Sequence, residues 1–156
     1  SWKISYNKVI KILNELSNNK SLSIIIKKKH NSIDQINNQI DKRIKIFKVG
    51  SAEKFINKAD IIIGHNSSAT IEGLVNGKYV MVPFFENNSK LRKYLLNFED
   101  DIIYTSEKKM KKTILNLLSK KVFFPINNKK HNKTIQYYLG DSKNINQKYL
   151  NFLNKN

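Results

Sequence analysis

The sequence predicts an α/β layer fold, a parallel sheet of about five strands with helices on both faces. Three observations predict it. Short runs rich in Ile and Val alternate with helix-like stretches. The run Ile61–Ile63 is continuously apolar, as a strand covered on both faces should be. Serines precede several helical stretches, and a glycine closes one of them, as helix caps require. The 156 residues suit one domain spanning 1–156, large enough for a real core.

Residues 4–17 read as the first helix, with Ile4, Val9, Ile12, Leu13 and Leu16 near one face. Leu22 to Lys27 reads as a strand. Ile44 to Val49 reads as a second strand, with Ile44 and Ile46 alternating against Lys45 and Phe47. Ser51 is placed to cap a short helix through Lys58. Ile61 to Gly64 is the third strand. Ser67 or Ser68 caps the next helix, which runs to about Asn76, and Gly77 is its stop. Tyr79 to Pro83 is the fourth strand. Residues 89–97 form a helix, Ile102 to Thr105 the fifth strand, and Ser106 caps a helix through Lys120. Met110, Ile114, Leu117 and Leu118 form the inner side of that helix. Pro125 and Asn127 to Lys130 make a loop, and helices over 131–138 and 142–154 complete the reading. Ser1 falls where a preceding strand would end, so a longer protein is expected.

Composition narrows the function classes. Hydrophobic residues make up 40% and charged residues 26%, which excludes a disordered body. The absence of cysteine excludes disulfides and thiolate metal sites, and it fits a reducing compartment. No apolar run approaches the ~18 residues of a membrane span. The first residues lack the charged-then-apolar order of a signal peptide. The expected location is therefore cytoplasmic, with the inner membrane face as a resting place. A net charge of +17 admits anionic lipid, acidic substrates or nucleic acid as partners. Yet the lysines are scattered among Asn and Ile, as an AT-rich codon bias also produces. No aromatic residues interleave with a basic stripe, so nucleic acid is not an expected partner.

The informative stretch runs from Asp60 to Pro83. A buried strand ends at Gly64, a tight polar turn follows, and a helix starts. In open α/β sheets ligands sit at the carboxyl ends of strands, and this turn points there. The helix start offers open N–H groups and the positive end of its dipole. Ser67, Ser68 and Thr70 add hydroxyls, so the place suits a phosphate. Glu72, a turn further on, suits the paired hydroxyls of a ribose. Together these describe a nucleoside diphosphate. A plain helix cap at Ser67 and a favourable helix-terminus charge at Glu72 explain the same residues singly.

This stretch resembles the donor-nucleotide motif of GT-B-type glycosyltransferases and their relatives. The pattern is Asn66-Ser67-Ser68, three residues, Glu72, four residues, Gly77-Lys78, then an apolar strand ending in Pro83. Capsule and lipopolysaccharide sugar transferases carry similar patterns, as do CDP-glycerol glycerophosphotransferases and nucleotide-sugar 2-epimerases of the same fold. The resemblance is strongest over 58–83. It implies a Rossmann-like domain, the C-terminal half of a GT-B fold, holding a nucleotide-activated sugar or polyol as substrate without a further cofactor. It implies that Ser67 and Ser68 meet the donor pyrophosphate, that Glu72 binds ribose, and that Gly64 and His65 line the turn below. Tyr79 departs from the pattern, where Pro commonly follows Gly-Lys.

A weaker likeness lies in Ile24 to Asn31, which is similar to a strand followed by Lys-Pro-His-Pro in some polymer transferases. Lys28 and His30 match the Lys and His, while Lys29 and Asn31 replace both prolines. The likeness implies that Lys28 or His30 helps neutralise the departing diphosphate; a solvated basic loop is the plain alternative. In the resembling enzymes the loop after Pro83 contacts the transferred group, which makes Glu86 a candidate for sugar hydroxyls.

These readings lead to three function hypotheses. The first is a glycosyltransferase or glycerophosphotransferase donor domain for surface polysaccharide synthesis. Its glycan or lipid-linked acceptor would sit on an N-terminal domain outside this sequence. The second is a nucleotide-sugar 2-epimerase half, and the third a basic, non-enzymatic binding module. A general base cannot be named from the sequence. The three histidines are too scattered for a zinc site, and no metal is expected.

Overall fold

The computed structural model describes residues 3–28, 40–65, 67–86, 89–95, 98–120 and 131–139. The predicted α/β class is observed, with helices and parallel strands alternating along the chain. Helix α1 spans Lys3–Leu16 and leads to strand β1, Ile25–Lys27. Strand β2 is Lys45–Phe47 and helix α2 is Glu53–Lys58. Strand β3, Ile61–Ile63, precedes helix α3, Ser68–Val75, and strand β4, Tyr79–Pro83. Helix α4, Ser89–Arg92, continues as a 3-10 turn over Lys93–Leu95 before strand β5, Ile103–Tyr104. Helix α5 covers Glu107–Ser119 and helix α6 covers Asn132–Leu139. The predicted loop at 125–130 and helix at 142–154 lie outside the described residues.

Among the described residues the five strands form two parallel sheets, where one continuous sheet was expected. β1 pairs with β2, Ile26 opposite Ile46. β3 pairs with β4, Ile62 opposite Val80, and β4 with β5, Val82 opposite Ile103. The separation follows from the ladders. Leu22 and Ile24, just before β1, share an apolar layer with Ile61 and Ile63 of β3, but β1 and β3 share no ladder. Leu22 and Ile24, read as part of the first strand, pack on that layer and precede β1, with Ile24 O still accepting from the Lys45 amide of β2 at 3.1 Å.

Strand β4 is where the two layers meet. Side chains alternate across a strand, so neighbours face opposite ways. Val80 and Val82 join Ile71 and Leu74 of α3 with Ile135 and Leu139 of α6. Met81 joins Ile12 and Leu16 of α1 with Met110 and Ile114 of α5. Helices therefore cover both faces of the β3–β5 sheet. Burying each such aliphatic side chain contributes about 1.5–3 kcal/mol. On the α3 side Phe98 and Tyr138 add a tilted ring pair at 5.7 Å. Phe47 of β2 stacks on Phe55 of α2 at 4.8 Å, which ties α2 to the smaller sheet.

The cap residues act largely as their chemistry predicts. Ser106 Oγ accepts from the Lys109 amide and starts α5. Gly77 has φ +68°, the left-handed region, and closes α3. The Lys78 amide donates to Gly73 O at 2.9 Å and the Gly77 amide to Leu74 O at 3.1 Å, the paired bonds of a Schellman motif. Ser51 is a partial exception. Ala52 occupies the cap position of α2, while Ser51 Oγ still accepts from the Glu53 amide at 3.2 Å.

Candidate functional site

The site is built where β3 and β4 end. Three Ile residues drive β3 into the sheet, and Gly64 follows with its amide donating to Met81 O at 3.1 Å. The chain then turns and α3 begins at Ser68, with Ser67 in extended conformation as its cap residue. Ser67 does not cap with its side chain. Its hydroxyl instead lies 2.9 Å from that of Thr70. Thr70, fully buried, spends its own proton on His65 O at 2.6 Å. One hydroxyl carries one proton, so Ser67 is the donor of the pair. A Cβ on Gly64 would stand 3.2 Å from Thr70 Oγ1, so glycine leaves room for this chain of bonds.

Backbone accounting shows what remains open at the helix start. The amides of Thr70 and Ile71 both donate to Ser67 O. Among the described residues, those of Ser68 and Ala69 bond to nothing. Ser67 and Ser68 are exposed. The mouth of α3 thus presents two amides, two serine oxygens and the positive end of the helix dipole to solvent. That set can hold an anion without a metal ion.

Two further side chains converge here. Glu86, just after β4, is buried at 8% exposure. Its carboxylate accepts from the Ser5 amide at 2.8 Å and from the Ser5 hydroxyl. Ser5 Oγ in turn accepts from the Phe85 amide at 2.7 Å. The first turn of α1 is therefore tied to the carboxyl end of β4. Burial raises the Glu86 pKa, but the Ser5 bonds and the His65 ring outweigh it and hold it below the ordinary carboxylate value. Burial likewise lowers the His65 pKa, and the Glu86 charge offsets this only in part. His65 is thus held toward its neutral form.

The predicted residues divide as follows. Gly64, His65, Ser67 and Thr70 come together at one turn, with Ser68 beside them and Glu86 close enough for its charge to reach His65. Glu72 sits on the second turn of α3 at 5% exposure, withdrawn from bulk water. Lys28 lies at the carboxyl end of β1, 7% exposed, its amide donating to Phe47 O. Asn66 and His30 lie outside the described residues. Ser5 escaped the sequence reading, although a serine in the first turn of a helix is a recognisable cue. Its partner stands 81 residues away, and no spacing rule reaches that far.

Among the described residues no group of three or more His, Asp or Glu is placed to hold a metal ion. None of the described helices is long and apolar enough to cross a membrane. In comparisons with known proteins, no family model, curated protein or solved structure matches the chain.

Proposed function

We propose that the mouth of α3 holds the diphosphate of a nucleotide-activated sugar or polyol, and that the chain serves as the donor domain of a glycosyltransferase or glycerophosphotransferase. The single observation behind this reading is the open pair of amides at Ser68 and Ala69, flanked by two exposed serines at the carboxyl end of β3. An anion there gains the dipole and the amides at once, and a departing diphosphate is stabilised by the same groups. Glu72, on the second turn of the same helix, is the acid proposed for the ribose hydroxyls. The +17 charge adds a long-range attraction for an anionic donor and for an anionic membrane bearing a lipid-linked acceptor.

Calorimetric titration with UDP, CDP and CMP tests the reading. Heat with a diphosphate, weakened in the monophosphate, is the expected result. Silence with all three at millimolar ligand removes the reading.

A further inference from the structure

Among the described residues, two parallel strands, β1 and β3, each have one unpaired edge. In a parallel ladder the N–H and C=O of one residue point to the same side, and neighbouring residues point to opposite sides. Ile24 O accepts from the Lys45 amide and the Lys28 amide donates to Phe47 O, so residues 24, 26 and 28 face β2. Ile25 and Lys27 therefore point their backbone groups away from β2. By the same count, Asp60 O accepts from the Tyr79 amide and the Gly64 amide donates to Met81 O. Ile61 and Ile63 thus point their backbone groups away from β4. Among the described residues, no strand pairs with β1 or β3 on these sides.

The entry to β1 and one face of β3 share an apolar layer. Ile24, beside β1, and Ile61 and Ile63 of β3 pack against the same cluster of Ile12, Leu16, Met110 and Ile114. Leu22 and Ile24, which lead into β1, belong to that cluster and no residue of 44–49 does, so the β1 side of the smaller sheet is the one turned toward β3. The burial pattern agrees. Ile62 packs on one face of β3 and Ile61 and Ile63 on the other, yet all three stay half-exposed. β4, flanked by two strands, is buried from Val80 to Pro83. Ile25 is 41% exposed. Apolar backbone that is open along one edge is the usual template for a further strand.

We infer that the space between β1 and β3 receives an added strand: an extended, apolar segment, parallel to both, whose carboxyl end runs into the start of α1. The position of α1 supplies the direction. Ser5 is bonded to Glu86 and Phe85, so α1 begins at the carboxyl end of β4. Its far end, at Asn14, accepts from the Asp41 amide, close to the start of β2. α1 therefore runs antiparallel to the strands. A strand rising through the space ends beside Lys3, and strand, α1 and β1 then form one right-handed crossover. The added strand would join both ladders into one sheet, with the reversal of strand order beside the Gly64 turn, where open α/β sheets place their ligands. The chemistry is strand addition: main-chain bonds to Ile25, Lys27, Ile61 and Ile63, with alternate side chains on the two apolar layers.

The test appends a Thr-Val-Val-Val-Val-Gly-Ser segment before Ser1 and follows amide hydrogen exchange by NMR. Protection of the Ile25, Lys27, Ile61 and Ile63 amides is expected to rise at least tenfold. The same segment with Pro at its central Val should give no such rise, since Pro lacks the donor. Equal exchange rates with and without the valine segment overturn the inference. So does protection already present in the unextended chain, whether constant with dilution, as when another part of the chain fills the space, or growing with concentration, as when a second copy does.

Discussion

Ser5 gives both its amide and its hydroxyl to the carboxylate of Glu86, joining residues 81 positions apart in sequence. The pair fixes the first turn of α1 against the end of β4 and sets an acid beside the candidate site. Charge-assisted bonds of this kind contribute about 1.5–3 kcal/mol. Glu86→Gln should lower stability by about that much at neutral pH, and Ser5→Ala by a similar amount. Urea unfolding of the two single variants and the double variant measures their coupling, which should be at least about 0.5 kcal/mol.

Acid should weaken the fold through the same pair. The Glu86 pKa is lowered in the folded state. Its contribution is therefore fully present above the unfolded carboxylate value of about 4.3 and is lost as pH falls through the lower folded value. His65 acts in an adjoining window. Its folded pKa is also lowered, so the unfolded chain binds a proton first as pH drops below about 6.5. Stability should decline from there downward. His65→Gln should flatten that part of the stability–pH curve, and Glu86→Gln the more acid part.

Stability and ligand binding should separate at Ser67 and Thr70. Thr70 is fully buried and holds His65 O, so Thr70→Val should cost about 1–3 kcal/mol of stability. Ser67 is exposed and makes no cap bond, so Ser67→Ala should cost about 1 kcal/mol or less. For nucleotide binding the order reverses per unit of stability lost. Ser67→Ala should weaken UDP roughly tenfold, or about 1.4 kcal/mol, with the fold intact. Calorimetry and thermal melts on the same samples provide both readings.

Gly77→Ala should destabilise by about 1–2 kcal/mol, since φ +68° places a Cβ against the following carbonyl. Met110→Ala should do more, about 2–5 kcal/mol, because the side chain is fully buried between α1, α5 and the sheet and leaves a cavity. Urea midpoints at constant slope distinguish these from changes in compactness.

Local chemistry made much of the fold legible. Tyr79 to Pro83 is the strand that was read, because a glycine stop and a proline bracket an apolar run. Gly77, Ser106 and the inner side of α5 follow from caps and helical spacing. The helix read over 89–97 begins at Ser89 and tightens to a 3-10 turn at Lys93. The division into two sheets was not legible, since periodicity describes a strand's faces and says nothing of its edges. At the site, the cluster of Gly64, His65, Ser67 and Thr70 is contiguous in sequence and was read as a group. That Thr70 would turn inward to His65 O was not, because a hydroxyl in the first turn fits solvent as well as core. The tie from Glu86 to Ser5 depends on the sheet already being built.

Strand β4 has Val80 and Val82 in one apolar layer and Met81 in the other. A slip of a single residue would exchange the occupants of both layers at once. Neither half of the interior can loosen while the other keeps its packing. The amides of β4 should therefore be the last in the molecule to exchange with deuterated solvent, at a rate set by unfolding of the whole domain.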